Sequence, residues 1–372
     1  MEMGSFAYCF LFFLMCSNAF PAFLATPEEV FALMHFKRSS IDSDPKGFLQ
    51  NWTVGGSNSR SNPCLWTGVV CSAADGRVRS LNLGNMGLTG RLNLEHLMAL
   101  PRLRDLDLHG NFFYGNLSYS NTASSLLCGF ETVDLSSNSF NETIPSEFLT
   151  SCPRLVSLNL SRNSIPGGIF PFGASVRRID LSRNRISDHG LLKYSLSSCS
   201  GLSYLNFSDN KLAGKLGDVP SCTNLTILDL SYNHLSGDLS GVDFGVCGSI
   251  TVLDLSYNGL NGTALPLSLA NCRQLEELNL SGNNFTSKIP SFWKNFSNLQ
   301  RLSLAHSRFS GEFHPSWVTH VGLWWSSTSL GMASPVACHR RSSHALRSRL
   351  WTSGKTISRA ISSIKSSVLC LL

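Results

Sequence analysis

Beyond its first 25 residues this 372-residue chain has no apolar run of the length a membrane-spanning helix needs, about 18 residues. An anchor within the rest of the sequence is therefore not expected. Metal-ligand spacing is absent too: the ten histidines are scattered, and neither H-E-x-x-H nor C-x-x-C occurs. His109, His189 and His234 fall in separate segments, which argues for surface positions rather than a metal site. The Gly/Ser-rich run at 55–63 precedes no strand-to-helix turn and reads as a loop, not a phosphate cradle. The body also lacks a charge excess. Residues 1–312 hold 23 Lys+Arg against 24 Asp+Glu, whereas residues 313–372 hold seven basic residues and no acidic one. The formal charge of +6 thus belongs to the tail, and no nucleic-acid partner is expected. Nothing calls for a cofactor or a metal.

What the chain has is repetition. The unit L-x-x-L-x-L-x-x-N-x-L-x-G fits ten times, with Met86, Asn111, Asn138, Asn163, Asn184, Asn210, Asn233, Asn258, Asn283 and Ser307 at its ninth position. That period matches the leucine-rich repeat, one short strand plus a return segment per unit. In "LDLSYN", Leu228 and Leu230 share one strand face and Asp229 points the other way. A single unit cannot bury its leucines, so the units must stack. The asparagine turns the chain out of the strand and can satisfy backbone groups there. Strands are expected to centre near Leu81, Leu106, Val133, Leu158, Ile179, Leu205, Leu228, Leu253, Leu278 and Leu302. The expected fold is an α/β solenoid, a right-handed superhelix with a concave parallel β-sheet and a disulfide-bonded N-terminal cap. Asp107, Asp134, Asp180, Asp229 and Asp254 alternate with Asn82, Asn159, Asn206 and Asn279 in the outward strand position, so that slot takes a small polar residue. Arg162, Arg177, Arg178 and Arg183 are neighbours for these carboxylates, or contacts for an acidic partner. Tyr232 and Tyr257 follow the outward serines in adjacent units and are candidate binding residues, or fillers of a lateral slot.

The run at 8–24 reads as the apolar core of a signal peptide, although no Lys or Arg precedes it. "TPEE" then opens a helix, with Thr26 as N-cap, Pro27 in the first turn and Glu29 three residues on. Cys9 and Cys16 lie in the signal. Cys64 and Cys71 flank a short loop and are expected to pair in an oxidising compartment. Cys152, Cys199, Cys222, Cys247 and Cys272 recur three residues before a unit's first apolar position. Cys199, Cys222, Cys247 and Cys272 are expected as buried free thiols, while Cys128 and Cys152 form a candidate pair. Glycosylation sequons at Asn51, Asn116, Asn141, Asn159, Asn206, Asn224, Asn261, Asn279, Asn284 and Asn295 fit the same secretory route.

"FKRSSIDSDPKGFLQNW" and "NPCLWTGVVC", with Cys64, Trp66, Gly68, Val69 and Cys71, resemble the N-terminal cap of plant leucine-rich-repeat receptor-like kinases. The I-P elements in "FNETIPSEF" and "FTSKIPSFW" resemble the plant type, where they form a second short strand. "GLTGRLNLEHLMALPRLRDLDLHGN" is similar to the brassinosteroid-receptor-like subgroup. The resemblance implies an extracellular recognition scaffold, plasma-membrane or apoplastic, that binds a protein, peptide or small-molecule ligand on the concave face, with a co-receptor as a further partner. It covers residues 27–312. The family's hormone-binding island, membrane helix and kinase motifs are not found, so the chain is read as a truncated ectodomain and not as an enzyme. Membrane attachment would require a spanning segment this chain does not carry. A free-standing secreted inhibitor of microbial enzymes, and a non-functional gene-model fragment, are the alternatives. The expected layout is a signal peptide at 1–25, a cap at 26–77, repeats at 78–312 and an aberrant basic, Ser-rich tail at 313–372, expected to be disordered and aggregation-prone.

Overall fold

The computed structural model describes residues 25–54, 62–117, 128–168, 172–187, 199, 201–218, 222–245 and 247–310. Residues 1–24 of the expected signal peptide, most of the Gly/Ser-rich run and the basic tail lie outside them. The chain divides into two compact units at Asn163 and Ser164. Each is a β-solenoid of stacked parallel strands.

The first unit opens with α1 (Pro27–Ser40), which buries Ala32, Leu33, Phe36 and Ser40 on one face. Acidic residues in its first turn and basic ones in its last oppose the helix dipole. Glu29 accepts the N–H of Thr26 at 3.1 Å, the N-cap contact expected from the sequence. The same carboxylate is 1% exposed, accepts the N–H of Val78 at 3.2 Å and lies 3.0 Å from the Arg77 Nε. One residue therefore caps the helix and ties it to the first repeat strand. Lys37 Nζ donates to the carbonyls of Leu49 and Trp52, and Trp52 stacks on Trp66 at 5.3 Å. Cys64 and Cys71 are disulfide-bonded, with Cα atoms 5.5 Å apart. β1 (Val69–Cys71) then pairs antiparallel with β2 (Val78–Asn82), and the parallel stack begins.

In the first unit β2, β4 (Asp105–Asp107), β6 (Thr132–Asp134) and β7 (Ser157–Asn159) pair in parallel, in the register Leu81–Leu106–Val133–Leu158. In the second, β9 (Arg178–Asp180), β11 (Tyr204–Asn206), β13 (Ile227–Asp229), β15 (Val252–Asp254), β17 (Glu277–Asn279) and β19 (Arg301–Ser303) do the same through Ile179, Leu205, Leu228, Leu253, Leu278 and Leu302. All ten expected centres lie in these strands and are buried. Short outer strands run behind them. In the first unit β3 (Thr89–Arg91) pairs with β5 (Phe112–Tyr114). In the second, β8 (Pro166–Gly167) pairs with β10 (Arg185–Ile186), and β12 (Ala213–Lys215), β14 (His234–Asp238), β16 (Gly259–Gly262) and β18 (Asn284–Phe285) form a second sheet. The I-P elements behave differently from the family pattern. Ile144 is in no strand, and only an isolated bridge joins Lys288 to Ser310. Pro145 and Pro290 instead stand at the starts of short helices, α2 (Glu95–Met98) having its successor α3 at Ser146–Ser151 and a 3-10 turn following at Ser291–Asn295. Proline has no N–H to lose at a helix start, and its φ suits one.

The ladder asparagines tie each turn to the one before. Asn233 Nδ2 donates to Phe207 O at 2.9 Å, Leu230 O at 3.1 Å and Ser231 O at 3.0 Å, and its Oδ1 accepts Leu212 N–H at 2.9 Å. Asn111, Asn138 and Asn163 repeat the pattern in the first unit, and Asn210, Asn258 and Asn283 in the second. Ser307 supplies a shorter substitute: its Oγ accepts Asn283 N–H and faces Leu280 O, both at 3.3 Å.

The cysteine slot corrects the free-thiol expectation. Cys199 is bonded to Cys222 and Cys247 to Cys272, as Cys128 is to Cys152. Stacking explains it. Residues one repeat apart in sequence are superposed in space, so the Cα atoms of these pairs stand 4.8–5.1 Å apart, within disulfide reach.

Two outcomes follow. Asn233→Ala strands the Leu212 N–H, while the Phe207 carbonyl keeps Asn210 Nδ2, and should lower unfolding free energy by about 1–3 kcal/mol in denaturant titration, the cost of one buried unpaired group. Peptide mapping without reduction should recover Cys199–Cys222 and Cys247–Cys272 as linked fragments, and replacing either pair with serine should cost about 2–4 kcal/mol.

Candidate functional site

The outward slot has a structural explanation. Its side-chain oxygen accepts the backbone N–H two residues on, a local turn that Asp and Asn both make. In the second unit Asp180 accepts Ser182 N–H, Asn206 accepts Ser208, Asp229 accepts Ser231, Asp254 accepts Ser256 and Asn279 accepts Ser281, at 2.9–3.2 Å. In the first unit Asn82, Asp107, Asp134 and Asn159 do likewise. The carboxylate row is thus part of the repeat. No group of His, Cys, Asp and Glu fit to hold a metal occurs among the described residues.

The second oxygen or the amide reaches along the stack. Asn159 Nδ2 donates to Asp134 at 3.0 Å, Asn279 Nδ2 to Asp254 at 2.9 Å, and Tyr204 Oη to Asp180 at 3.2 Å. Asp229 takes a side-chain hydrogen bond from Ser208 of the repeat before, while the following slot offers it a second carboxylate, Asp254, in paired register. Burial, with the Asp254 charge adding to it, raises the Asp229 carboxyl above the ordinary aspartate range against the lowering effect of the Ser231 hydrogen bonds.

Around this pair the strand face is apolar. Ile227 and Val252 are register partners, half-buried, with Tyr204 beside Ile227. At the other edge stand Tyr232 and Tyr257. Their rings stack at 4.4 Å and 13°, and they are 53% and 41% exposed. Both have positive φ, 53° and 50°, as do Asn85, Ser137, Arg162, Arg183, Asp209 and His306 just before the ninth position of other units. Gly110 and Gly282 take the same conformation there. A Cβ on Gly282 would lie 2.7 Å from the Tyr257 ring, so the glycine leaves the space into which that ring leans. Left-handed backbone disfavours bulky residues, and nothing in the turn requires an aromatic.

The other candidates are dispersed. Arg162 lies in the first unit. Arg177 Nη1 donates to the carbonyls of Ala174 and Val176, which shapes its own turn. Arg183 Nε stands 3.9 Å from Asp209 Oδ2 at an exposed position. Arg178 places its guanidinium 4.5 Å from the Tyr204 ring. Tyr204, Ile227 and Val252 were not singled out from sequence. Their signal was the residue two before the slot, visible only once the strand bounds are known.

With this geometry in place, comparison with known proteins is specific. Residues 26–72 match the leucine rich repeat N-terminal domain, and residues 129–151, 174–193, 221–238 and 274–296 match leucine rich repeat models. The chain is 45% identical over 290 residues to "Receptor-like protein kinase BRI1-like 3" of Arabidopsis thaliana, covering 76% of this chain and 22% of that protein. The chain spans less than a quarter of the length of the BRI1-like relatives it matches. Among solved structures, a plant ice-binding protein has a TM-score of 0.55 at 26% identity, covering 76% of this chain and 94% of that one. The plant peptide hormone receptor RGFR1, solved in complex with RGF2, has a TM-score of 0.51 at 22% identity, covering 68% and 47%, a likeness of fold.

The raised Asp229 carboxyl has a signed consequence. Because the folded state binds the proton more tightly, its contribution favours folding below the ordinary aspartate value and is lost as pH rises through the folded value. Denaturation of wild type and Asp229→Ser should therefore show a stability difference that shifts in favour of the wild type as pH is lowered from neutrality across that window. A difference independent of pH would show that Asp229 is not held in this state.

Proposed function

Taking the chain as a leucine-rich-repeat protein similar over 76% of its length to a BRI1-like receptor kinase, we propose that it is an extracellular recognition scaffold that binds a peptide or protein ligand on the exposed face of its parallel strands. The observation that carries this is the second unit's face. Its backbone and slot groups are hydrogen-bonded internally, yet it presents Ile227, Val252 and the stacked Tyr232–Tyr257 pair to solvent. Tyrosine on a pre-ordered surface contributes contact area at little entropic cost. A solved neighbour of the same fold is a plant peptide hormone receptor in complex with RGF2. Disulfides in both units and the ten sequons support a secretory route, which would carry the chain to the plasma membrane's outer side or the apoplast. Recognition here is non-covalent, and catalysis would belong to a kinase region of the kind its relatives are named for.

A second reading, a free-standing secreted repeat protein, draws on the ice-binding neighbour, which the chain matches over 94% of that neighbour's length. Both readings use the strand face, and one experiment addresses it. Asp229→Asn keeps the local turn, as Asn206 and Asn279 do, and creates the sequon Asn-Leu-Ser. Peptides selected by phage display on the secreted wild-type chain should bind this glycan-bearing variant at least tenfold more weakly. They should recover when the glycan is trimmed to its first sugar. Selected peptides that bind both forms equally would remove the strand face as the binding surface.

A further inference from the structure

We propose that the Tyr232–Tyr257 stack and the carboxylates Asp209, Asp229 and Asp254 form a seat for an arginine side chain of an extended peptide ligand, whose neighbouring apolar residues lie on Ile227 and Val252. This rests on the strand-face reading above and gives its occupant a chemistry.

Charge is the first argument. Residues 216–272 contain five aspartates and no Glu, Lys or Arg, so the two repeats that carry the tyrosines present charge of one sign. Asp229 and Asp254 are register partners, with no cation of the chain in that stretch to stand between them. Asp209 precedes Tyr232 in the same column of left-handed residues. Its partner Arg183 reaches it only at 3.9 Å, with both side chains more than half exposed, a weak contact that a ligand can replace.

Shape is the second. Two rings stacked at 13° cover one face of each, and Tyr257 leans into the space over Gly282, so the face left to a ligand is the one Tyr232 turns away from Tyr257. A guanidinium is planar, stacks on aromatic faces and engages carboxylates through two parallel hydrogen bonds. The chain already uses this pairing nearby, where Arg178 lies 4.5 Å from the Tyr204 ring. An ammonium fits the charge but not the plane. The pleat supplies the register, because Ile227 and Asp229 are two residues apart and so share a face. An apolar side chain and a cation on a ligand can therefore be met by one strand.

Access is the third. The slot makes its local turn with Asn or Asp alike, but Asn followed by x-Ser is a glycan acceptor and Asp is not. Sequons stand in the slot at Asn206 and Asn279. The two repeats between them carry aspartate, so their slots hold no sequon; those of these repeats, Asn224 and Asn261, lie outside β13 and β15.

The test uses the full secreted chain and a short labelled peptide in which arginines flank a valine. A lysine version and a glutamate version are the comparisons, read by fluorescence anisotropy. The arginine peptide should bind saturably, at least tenfold more tightly than the lysine peptide, with no saturable binding of the glutamate peptide. Tyr232→Ala with Tyr257→Ala should weaken it at least tenfold. So should Asp229→Ser with Asp254→Ser, which places in the slot the residue found at Ser303. Circular dichroism melting should show each variant folded. Equal binding of the arginine and glutamate peptides, or full affinity in a folded tyrosine variant, overturns the proposal. Glycan-sensitive peptides from the display selection that lack arginine also overturn it, while leaving the strand-face reading intact. If that selection yields no glycan-sensitive peptide, the reading itself falls, and the seat with it.

Discussion

The asparagine ladder is the constraint on which the rest of the structure depends. Leaving a parallel strand by a tight turn buries carbonyls and N–H groups that no strand can pair. An amide side chain pairs them, donating to its own turn and to the turn before while accepting an N–H from the preceding repeat, two residues past its ninth position. Each repeat is thus hydrogen-bonded to its neighbour through a side chain as well as through the sheet. The leucines are the bulk of the core, but leucine alone does not say where the chain must turn. The ladder does, and in doing so it holds the preceding residue in the left-handed region, at Asp209, Tyr232 and Tyr257 among others.

That conformation sets the character of the exposed face. A residue there projects at the edge of the strands, so the repeat offers one free position per turn, and sequence variation at it is variation of surface. In the second unit the column reads Arg183, Asp209, Tyr232, Tyr257, Gly282 and His306. Next to it the Asp/Asn slot is less free, since it must close a local turn. The slot still chooses charge. An Asn beside an Asp donates its amide to the carboxylate, as Asn279 does to Asp254, whereas an Asp beside an Asp leaves repulsion. Asp107–Asp134 in the first unit and Asp229–Asp254 in the second are where the repeat accepts this electrostatic cost, and the aromatic pair stands beside the second.

The cap follows the same economy. Glu29 closes the first turn of α1, meets Arg77 and accepts the N–H of Val78, so helix start and repeat start are fastened by one buried carboxylate. Its N-terminal role was legible in "TPEE", because capping is a matter of residues three apart. Its tertiary role was not, because Val78 lies 49 residues away.

The repeat period, all ten strand positions, the burial of alternate leucines and the turn-forming asparagines were set by the sequence alone, since each depends on spacing within one repeat. The Cys128–Cys152 pair was suggested by the same spacing. The bonding of Cys199 to Cys222 and of Cys247 to Cys272 was decided by stacking, which brings residues a whole repeat apart to about 5 Å. The fate of the I-P prolines was decided by local helix starts that the family pattern did not foretell. The stacked tyrosines, their neighbours Ile227 and Val252, and the facing of Asp229 against Asp254 also came only with tertiary structure. Periodicity says which residues occupy equivalent positions, but side chains from different repeats interact through distances that only the stacked register sets.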